Sequence, residues 1–187
     1  MKTLMIDMDN VITDGNFNKY IEEFMNIKVD FNELTEYKYV QDIVKNKKNE
    51  FWNYVKDKDF YKDSELLDGC YEVLKKLNNK YDVYIVTSYL WNDSIDLSGK
   101  NLNYKYDYLK EKLPFIEPEK YVFTTNKSLL KFDIKLDDKM SNLDNSDIKL
   151  LFSRWHNKNI NNDLLENEHI IRVNNWYDIE KLLCDEV

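Results

Sequence analysis

Short apolar runs alternate with helical patterns along most of the chain, and this alternation is the feature that most constrains the fold. Each run is a few residues long and rich in β-branched or aromatic side chains, which is typical of a buried strand. Such runs lie at residues 3–6, 82–87, 121–124, 134–136 and 149–152, with a sixth candidate at 169–173. Between and after them, apolar residues recur at helical spacing at 65–77, 104–113 and 176–184. This order predicts parallel pairing and a doubly wound α/β sheet.

Residues 16–64 interrupt the alternation, because they contain no strand pattern. Helical patterns lie there at 17–25, 31–44 and 49–58. An insert of this length is long for a crossover between neighbouring strands. We therefore predict an α/β core formed by residues 1–15 and 65–187, and a small helical subdomain formed by residues 16–64 over one end of the sheet.

Composition narrows the class of protein. Of the 187 residues, 43% are hydrophobic and 33% charged, which is typical of a soluble globular chain. The net charge of −8 and the lack of a dense basic run argue against binding to a nucleic acid polymer. Two distant cysteines, Cys70 and Cys184, exclude a disulfide framework and favour a reducing compartment. Because Asp7 ends the first apolar run early, we expect no signal peptide, no membrane span and a cytoplasmic location.

Polar residues stand at the carboxyl ends of the predicted strands, where open α/β sheets bind ligands. Asp7 and Asp9 follow the first strand, Thr87 and Ser88 the second, Lys127 the third, and Asp137 and Asp138 the fourth. Lys131 competes with Lys127 for its place, and either hydroxyl of the Thr87–Ser88 pair suits the same role. Since parallel strands end at one edge, we expect these side chains to meet in a single site.

This set of groups suits phosphoryl transfer. A carboxylate can attack phosphorus to form an aspartyl-phosphate, and a second one can protonate the leaving alcohol and then activate water. Carboxylate oxygens also bind Mg²⁺, usually together with waters and substrate phosphate. A lysine and a hydroxyl neutralise and orient the phosphoryl oxygens.

In this order, the motifs resemble those of the haloacid dehalogenase (HAD) superfamily, and more closely those of its 5′(3′)-deoxyribonucleotidases, the cytosolic type C nucleotidases. The first motif reads DMDNVITD over residues 7–14, and Lys127 precedes the pair Asp137-Asp138 by ten and eleven residues. The run LLFSRWHN ends in the pair His156-Asn157, as the family's late apolar run is followed by a His-Asn pair. The segment NNWYDIEKLL matches the family's last helix.

The resemblance implies a HAD-like fold with a helical cap at 16–64, and it implies a role for each motif residue. Asp7 matches the nucleophile, and Asp9 matches the acid/base, whose backbone carbonyl is also a metal ligand. Asp138 matches the carboxylate ligand of Mg²⁺, and Asp137 beside it belongs to a possible second metal shell. Thr87, Ser88 and Lys127 match the residues that bind the substrate phosphate, and Phe60 and Tyr61 stand where the family has aromatic residues that could stack on a base.

The implied reaction is the Mg²⁺-dependent hydrolysis of (deoxy)ribonucleoside monophosphates through an aspartyl-phosphate. Two departures bear on the substrate. Asn10 replaces the usual glycine, which a loop with negative φ permits, and residues 139–142 differ from the family's loop. Two alternatives stay open: a HAD phosphatase for a sugar or amino-acid phosphate, and a non-catalytic nucleotide-binding module. The sequence leaves the oligomeric state undecided.

Overall fold

The computed structural model describes residues 1–30, 33–34 and 40–184. It contains a six-stranded, wholly parallel sheet, which confirms the predicted fold class. The strands are β1 (Thr3–Ile6), β2 (Asp82–Thr87), β3 (Tyr121–Phe123), β4 (Phe132–Asp137), β5 (Ser146–Phe152) and β6 (Ile170–Val173). The predictions for β1 and β2 match these bounds, whereas β4 and β5 extend beyond the predicted runs.

The strand order is β3-β2-β1-β4-β5-β6, with the N-terminal strand in the interior of the sheet. From β1 the chain first proceeds outward through β2 to β3, and then returns to the other side of β1 to form β4. The order therefore reverses between β1 and β4, and such a switch point is where open α/β sheets place their ligand crevice. Leu4, Met5 and Ile6 of β1 are completely buried, so this interior strand is part of the hydrophobic core.

Seven α-helices accompany the strands in the described part of the chain. They are α1 (Phe17–Met25), α2 (Val40–Val44), α3 (Lys48–Val55), α4 (Cys70–Lys80), α5 (Ser98–Lys112), α6 (Asn162–Asn167) and α7 (Trp176–Leu183). Helix α5 is the longest, with 15 residues, and among the described residues no helix is both long and apolar enough to cross a membrane.

The predicted helix over 65–77 begins five residues too early. Helix α4 starts at Cys70, after Gly69 with a φ of 74°. The preceding segment runs beside the first motif instead: Leu66 forms a bridge with Thr13, and the Leu67 amide donates to the Ile12 carbonyl at 2.8 Å. Helix α5 begins at Ser98, six residues before the predicted start of the helix over 104–113.

Helices α1 to α3 lie within residues 16–64, and α1 has the predicted bounds. Most of the first half of the predicted helix 31–44 lies outside the described residues, and α2 covers its end. The ring of Phe17 packs against those of Phe51 and Phe60, and both Phe17 and Phe60 pack against Trp91, which follows β2. This segment therefore rests on the chain between β2 and α5, while its status as a separate cap stays a prediction.

Candidate active site

Asp7 lies at the carboxyl end of β1 and is buried. Its Oδ1 accepts a hydrogen bond from the Met8 amide at 2.6 Å and lies 2.5 Å from Lys127 Nζ. Both contacts fall on one oxygen, so the other oxygen, Oδ2, is the one with no protein partner among the described residues. Asp7 is thus oriented by a backbone amide and an ammonium, and keeps one oxygen for chemistry.

Lys127 joins the ends of two strands. It opens the turn after β3, is buried, and contacts Asp137 Oδ2 at 2.8 Å in addition to Asp7. The competing Lys131 is exposed. The structure therefore brings Lys127, and not Lys131, to the carboxylates.

Asp137 is the last residue of β4 and Asp138 follows it, across the switch point from Asp7. Besides Lys127, Asp137 accepts hydrogen bonds at Oδ1 from the Lys139 amide (2.9 Å) and Asn142 Nδ2 (3.0 Å). These donors use both oxygens of Asp137, which suits an outer-shell carboxylate better than a direct metal ligand.

Three buried carboxylates, those of Asp7, Asp137 and Asp138, offer oxygens that lie within 4.8 Å of one another. Burial, and then the charge of Asp137, raise the pKa of Asp7 to about 7, although Lys127 opposes the rise. Burial also raises the pKa of Asp137. The single ammonium of Lys127 does not balance the negative charge of three carboxylates. A cluster of carboxylate oxygens that still carries negative charge fits a hard cation such as Mg²⁺.

Asp138 is oriented by two side chains on its Oδ2. Asn10 Nδ2 donates to it at 2.9 Å, and His156 Nε2 lies 2.9 Å away. Asn10 has a φ of 61°, so a negative φ is not what allows a residue other than glycine at this position. Asparagine tolerates the left-handed region better than most residues, and here its amide also reaches the Asp138 carboxylate.

Asp9 occupies the other side of Asp7 and is held at both oxygens. Tyr61 donates its hydroxyl to Oδ1 at 2.6 Å, and Lys105 Nζ forms a short ion pair with Oδ2. Burial alone would raise the pKa of Asp9, but the charge and hydrogen bond of Lys105, assisted by Tyr61, outweigh it and bring the pKa below its usual value. Asp9 is therefore anionic at neutral pH in this arrangement.

Lys105 is a site residue that the sequence analysis missed. It is buried on α5, and its Nζ also donates to Thr87 Oγ1 at 2.7 Å and to the Ser88 carbonyl at 2.5 Å. The sequence offers only its spacing, four residues after Asn101 and four before Leu109, and the structure is what shows that this stripe of α5 is buried. A lysine in the middle of such a stripe needs a partner of opposite charge.

Thr87 and Ser88 lie where predicted, at the end of β2. Thr87 is buried, and its oxygen accepts a hydrogen bond from Lys105. Its own hydroxyl makes a long hydrogen bond of 3.5 Å to the Ser88 carbonyl, a weak contact that a phosphate oxygen can replace. Ser88 is partly buried and contributes its carbonyl to Lys105. Their phosphate-binding role stays a prediction.

Phe60 and Tyr61 are close to the site, but both rings are covered. Phe60 is buried against Phe17 and Trp91, and Tyr61 is buried with its hydroxyl on Asp9. The cavity beside Phe60 measures about 10 Å³, room for a single water and not for a base. Stacking of a base on either ring stays a prediction, and it requires the helical segment to move.

A larger, open cavity of about 440 Å³ lies at the loop that follows β5. It is lined by Asp14, Ser153, Arg154, Trp155 and Lys158. Arg154 and Asp14 form an ion pair there, which connects this loop to the end of the first motif. His156, from the same loop, contacts Asp138.

Comparison with known proteins places this arrangement in a family. A solved haloacid dehalogenase-like hydrolase from Burkholderia xenovorans has a similar fold, with a TM-score of 0.53, 13% identity and coverage of 96% of this chain and 95% of that one. A 5′(3′)-deoxyribonucleotidase from Bacillus subtilis and another from Bacillus phage SPbeta are each 32% identical over 189 residues, covering 97% of this chain and 98% of theirs. The family model described as "5′ nucleotidase, deoxy (Pyrimidine), cytosolic type C protein" matches residues 1–186. The chain therefore belongs to the cytosolic type C 5′(3′)-deoxyribonucleotidase family, and its fold is similar to that of a HAD-like hydrolase.

Proposed function

We propose that the protein is a Mg²⁺-dependent phosphomonoesterase that hydrolyses deoxyribonucleoside monophosphates through an aspartyl-phosphate on Asp7. One observation carries the proposal. At the switch point of the sheet, Asp7 keeps one oxygen without a protein partner, while Lys127 lies against its other oxygen and Asp9 follows two residues later.

In the first half-reaction, Asp7 Oδ2 attacks phosphorus and the bond from phosphorus to the ester oxygen breaks. Asp9 then supplies the proton that the leaving alkoxide needs. Since Asp9 is anionic while Tyr61 and Lys105 hold it, it must take up a proton and release one of these contacts as substrate binds. Lys127 and the Thr87 hydroxyl bind the phosphoryl oxygens and stabilise the charge of the transition state.

In the second half-reaction, Asp9 removes a proton from water, and the water oxygen attacks the phosphorus of the aspartyl-phosphate. The bond to Asp7 breaks and inorganic phosphate leaves, which regenerates the Asp7 carboxylate. Asp9 then carries a proton again, and it releases this proton to solvent when Tyr61 and Lys105 hold it once more. The proton that Asp9 gave to the alcohol in the first step is replaced by this one, so the cycle consumes only ester and water.

The buried carboxylates fit a magnesium ion. Asp7 and Asp138 would bind it directly together with the Asp9 carbonyl, and Asp137 would remain in the outer shell with Lys127 and Asn142. When bound, the ion supplies positive charge that draws the phosphoryl group towards Asp7 and keeps that carboxylate ionised.

Family membership supports the substrate class, because the family description specifies deoxy and pyrimidine nucleotides. The aromatic side chains of residues 16–64 support it further, since flat rings stack on any base. We propose a small-molecule phosphomonoester as the partner, and we propose the cytoplasm as the location, where such nucleotides occur and the two free cysteines stay reduced.

The test is the release of inorganic phosphate from a panel of phosphomonoesters in the presence of MgCl₂. The panel contains dUMP, dTMP, AMP, a hexose phosphate, a phosphorylated amino acid and glycerol phosphate, and Asp7→Asn is the matched inactive control. We expect the highest kcat/KM for dUMP or dTMP. A higher value for a sugar or amino-acid phosphate would overturn the nucleotidase assignment but not the chemistry. Binding of dUMP without turnover of any ester would indicate a nucleotide-binding module instead.

A further inference from the structure

Lys135 is a buried lysine in the middle of β4 that no step above uses. It has 0% exposure, and its Nζ donates to three backbone carbonyls: those of Lys127 (3.1 Å), Asn142 (3.3 Å) and Asp144 (2.5 Å). An ammonium has three protons to donate, and these contacts use all of them. Burial of a charge is costly unless such partners are present, so the three carbonyls are what permits a lysine in this interior strand.

The three carbonyls belong to the two loops that form the site. Lys127 opens the turn after β3, and Asn142 and Asp144 lie in the loop after β4. Asp137 lies two residues beyond Lys135, on the same face of the strand. It contacts the side chains of the same two residues, Lys127 Nζ at 2.8 Å and Asn142 Nδ2 at 3.0 Å. Lys127 and Asn142 are therefore each held twice, at the carbonyl by Lys135 and at the side chain by Asp137.

We propose that Lys135 is a positioning residue for Lys127. It anchors the backbone of the 127–129 turn, so that the Lys127 ammonium lies against Asp7 and meets the phosphate. This inference rests on the proposed function, in which Lys127 binds the transferred phosphoryl group. Without the anchor, the turn can shift along the edge of the sheet, and a displacement of about 1 Å is enough to misplace a charged group at a reacting centre.

The test uses Lys135→Met, which keeps the side-chain length and removes the charge and the donors. The readout is the binding of inorganic phosphate, measured by titration calorimetry in MgCl₂, because it needs no turnover. We expect the Kd to rise about tenfold, which corresponds to about 1.4 kcal/mol. The matched control is Lys149→Met. Lys149 is the register partner of Lys135 on β5, and its Nζ reaches the Glu168 carbonyl at 3.3 Å, away from the site loops. Its Kd should change less than twofold.

A double-mutant cycle separates positioning from a general loss of structure. In a Lys127→Ala background, Lys135→Met should weaken phosphate binding by less than a further twofold, since the group that it positions is gone. Additive losses would overturn the proposal, as would wild-type affinity in Lys135→Met alone. If the methionine variant fails to fold, Lys135→Gln keeps a neutral donor, and we expect it to give an intermediate Kd. Wild-type affinity in that variant overturns the proposal equally.

The two proposals fail in different ways. A wild-type protein that binds phosphate but releases none from any ester contradicts the proposed function. In that case the double-mutant cycle, measured by phosphate binding, still decides the role of Lys135. A wild-type protein that hydrolyses esters, with unchanged phosphate binding in Lys135→Met, contradicts only the positioning role. A wild-type protein that does not bind phosphate at all overturns the positioning role together with the phosphate site of Lys127.

Discussion

Replacing Lys105 by methionine removes the ammonium that joins Asp9, Thr87 and Ser88, while the length of the side chain is kept. The variant leaves Asp9 with only the hydroxyl of Tyr61, and it leaves the Ser88 carbonyl without the donor on α5. We therefore expect a loss of both stability and activity.

The size of the stability loss follows from burial. The Lys105 side chain is 1% exposed and that of Asp9 is 37% exposed. Removing one partner of a fully buried pair costs about 3–5 kcal/mol. Because water reaches Asp9 and Tyr61 still contacts it, we discount this loss to about 2–3 kcal/mol. For a chain of 187 residues, each kcal/mol lowers the Tm by about 2–4 °C, so the expected fall is roughly 4–12 °C.

The stability lost in Lys105→Met is greatest at neutral pH and becomes smaller in acid. In the folded protein, Lys105 keeps the pKa of Asp9 below its usual value of 3.8. A lowered folded-state pKa adds stability above the unfolded-state pKa, and this stability is lost as acid protonates the folded carboxylate. The difference in unfolding free energy between wild type and variant should therefore be complete at pH 7 and narrow below about pH 4.

The assay pairs thermal unfolding at pH 7, followed by circular dichroism, with kcat/KM for dUMP. We expect kcat/KM to fall about 10- to 100-fold, part of the ~10²–10⁴ that a well-placed acid/base contributes. Lys110→Met is the control, because Lys110 is exposed on the same helix. Equal Tm values for the two variants, or unchanged kcat/KM in Lys105→Met, would refute the assigned contacts.

Four further predictions address the mechanism and the substrate. Asp7→Asn should abolish turnover in a protein that still folds, because an amide does not attack phosphorus; substantial residual phosphate release would remove Asp7 from this role. Asp9→Asn should lower kcat by ~10²–10⁴ on a nucleotide and by less on p-nitrophenyl phosphate, whose leaving group needs no proton; equal losses would contradict acid catalysis. Excess EDTA should stop turnover and MgCl₂ restore it, and activity unchanged by EDTA would mean that the carboxylate cluster is misinterpreted. Phe60→Ala or Tyr61→Ala should raise KM for dUMP more than for p-nitrophenyl phosphate, whereas a larger rise in Trp155→Ala would place the base in the cavity beside β5.

The strands and the motif residues could be predicted because their signals are local. The apolar run at residues 3–6 is followed directly by Asp7, so the end of the apolar pattern coincides with the end of the strand. Parallel order then brings strand-end residues to one edge whatever the lengths of the loops. The spacing from Lys127 to Asp138 is short enough that one turn and one strand fill it.

The remaining features depend on contacts between distant segments. The apolar spacing predicts a helix from residue 65, but pairing of Leu66 with Thr13 competes with that helix. Lys105 looks like an ordinary surface lysine until α5 packs under the end of β2. Asn10 combines a positive φ with a contact to Asp138, 128 residues away, and no local pattern indicates such a contact.

The interior position of β1 has a consequence for synthesis on the ribosome. This strand is made before both of its neighbours in the sheet, which are residues 82–87 and 132–137. At about 5–20 residues per second, roughly 7–26 s pass before its second neighbour has been translated. During that interval an apolar strand with two unpaired edges is prone to aggregation. Asp7 and Asp9 place two carboxylates within three residues of the carboxyl end of the strand. The carboxylates that later define the buried site therefore stand at a place where charge opposes association of the unpaired strand.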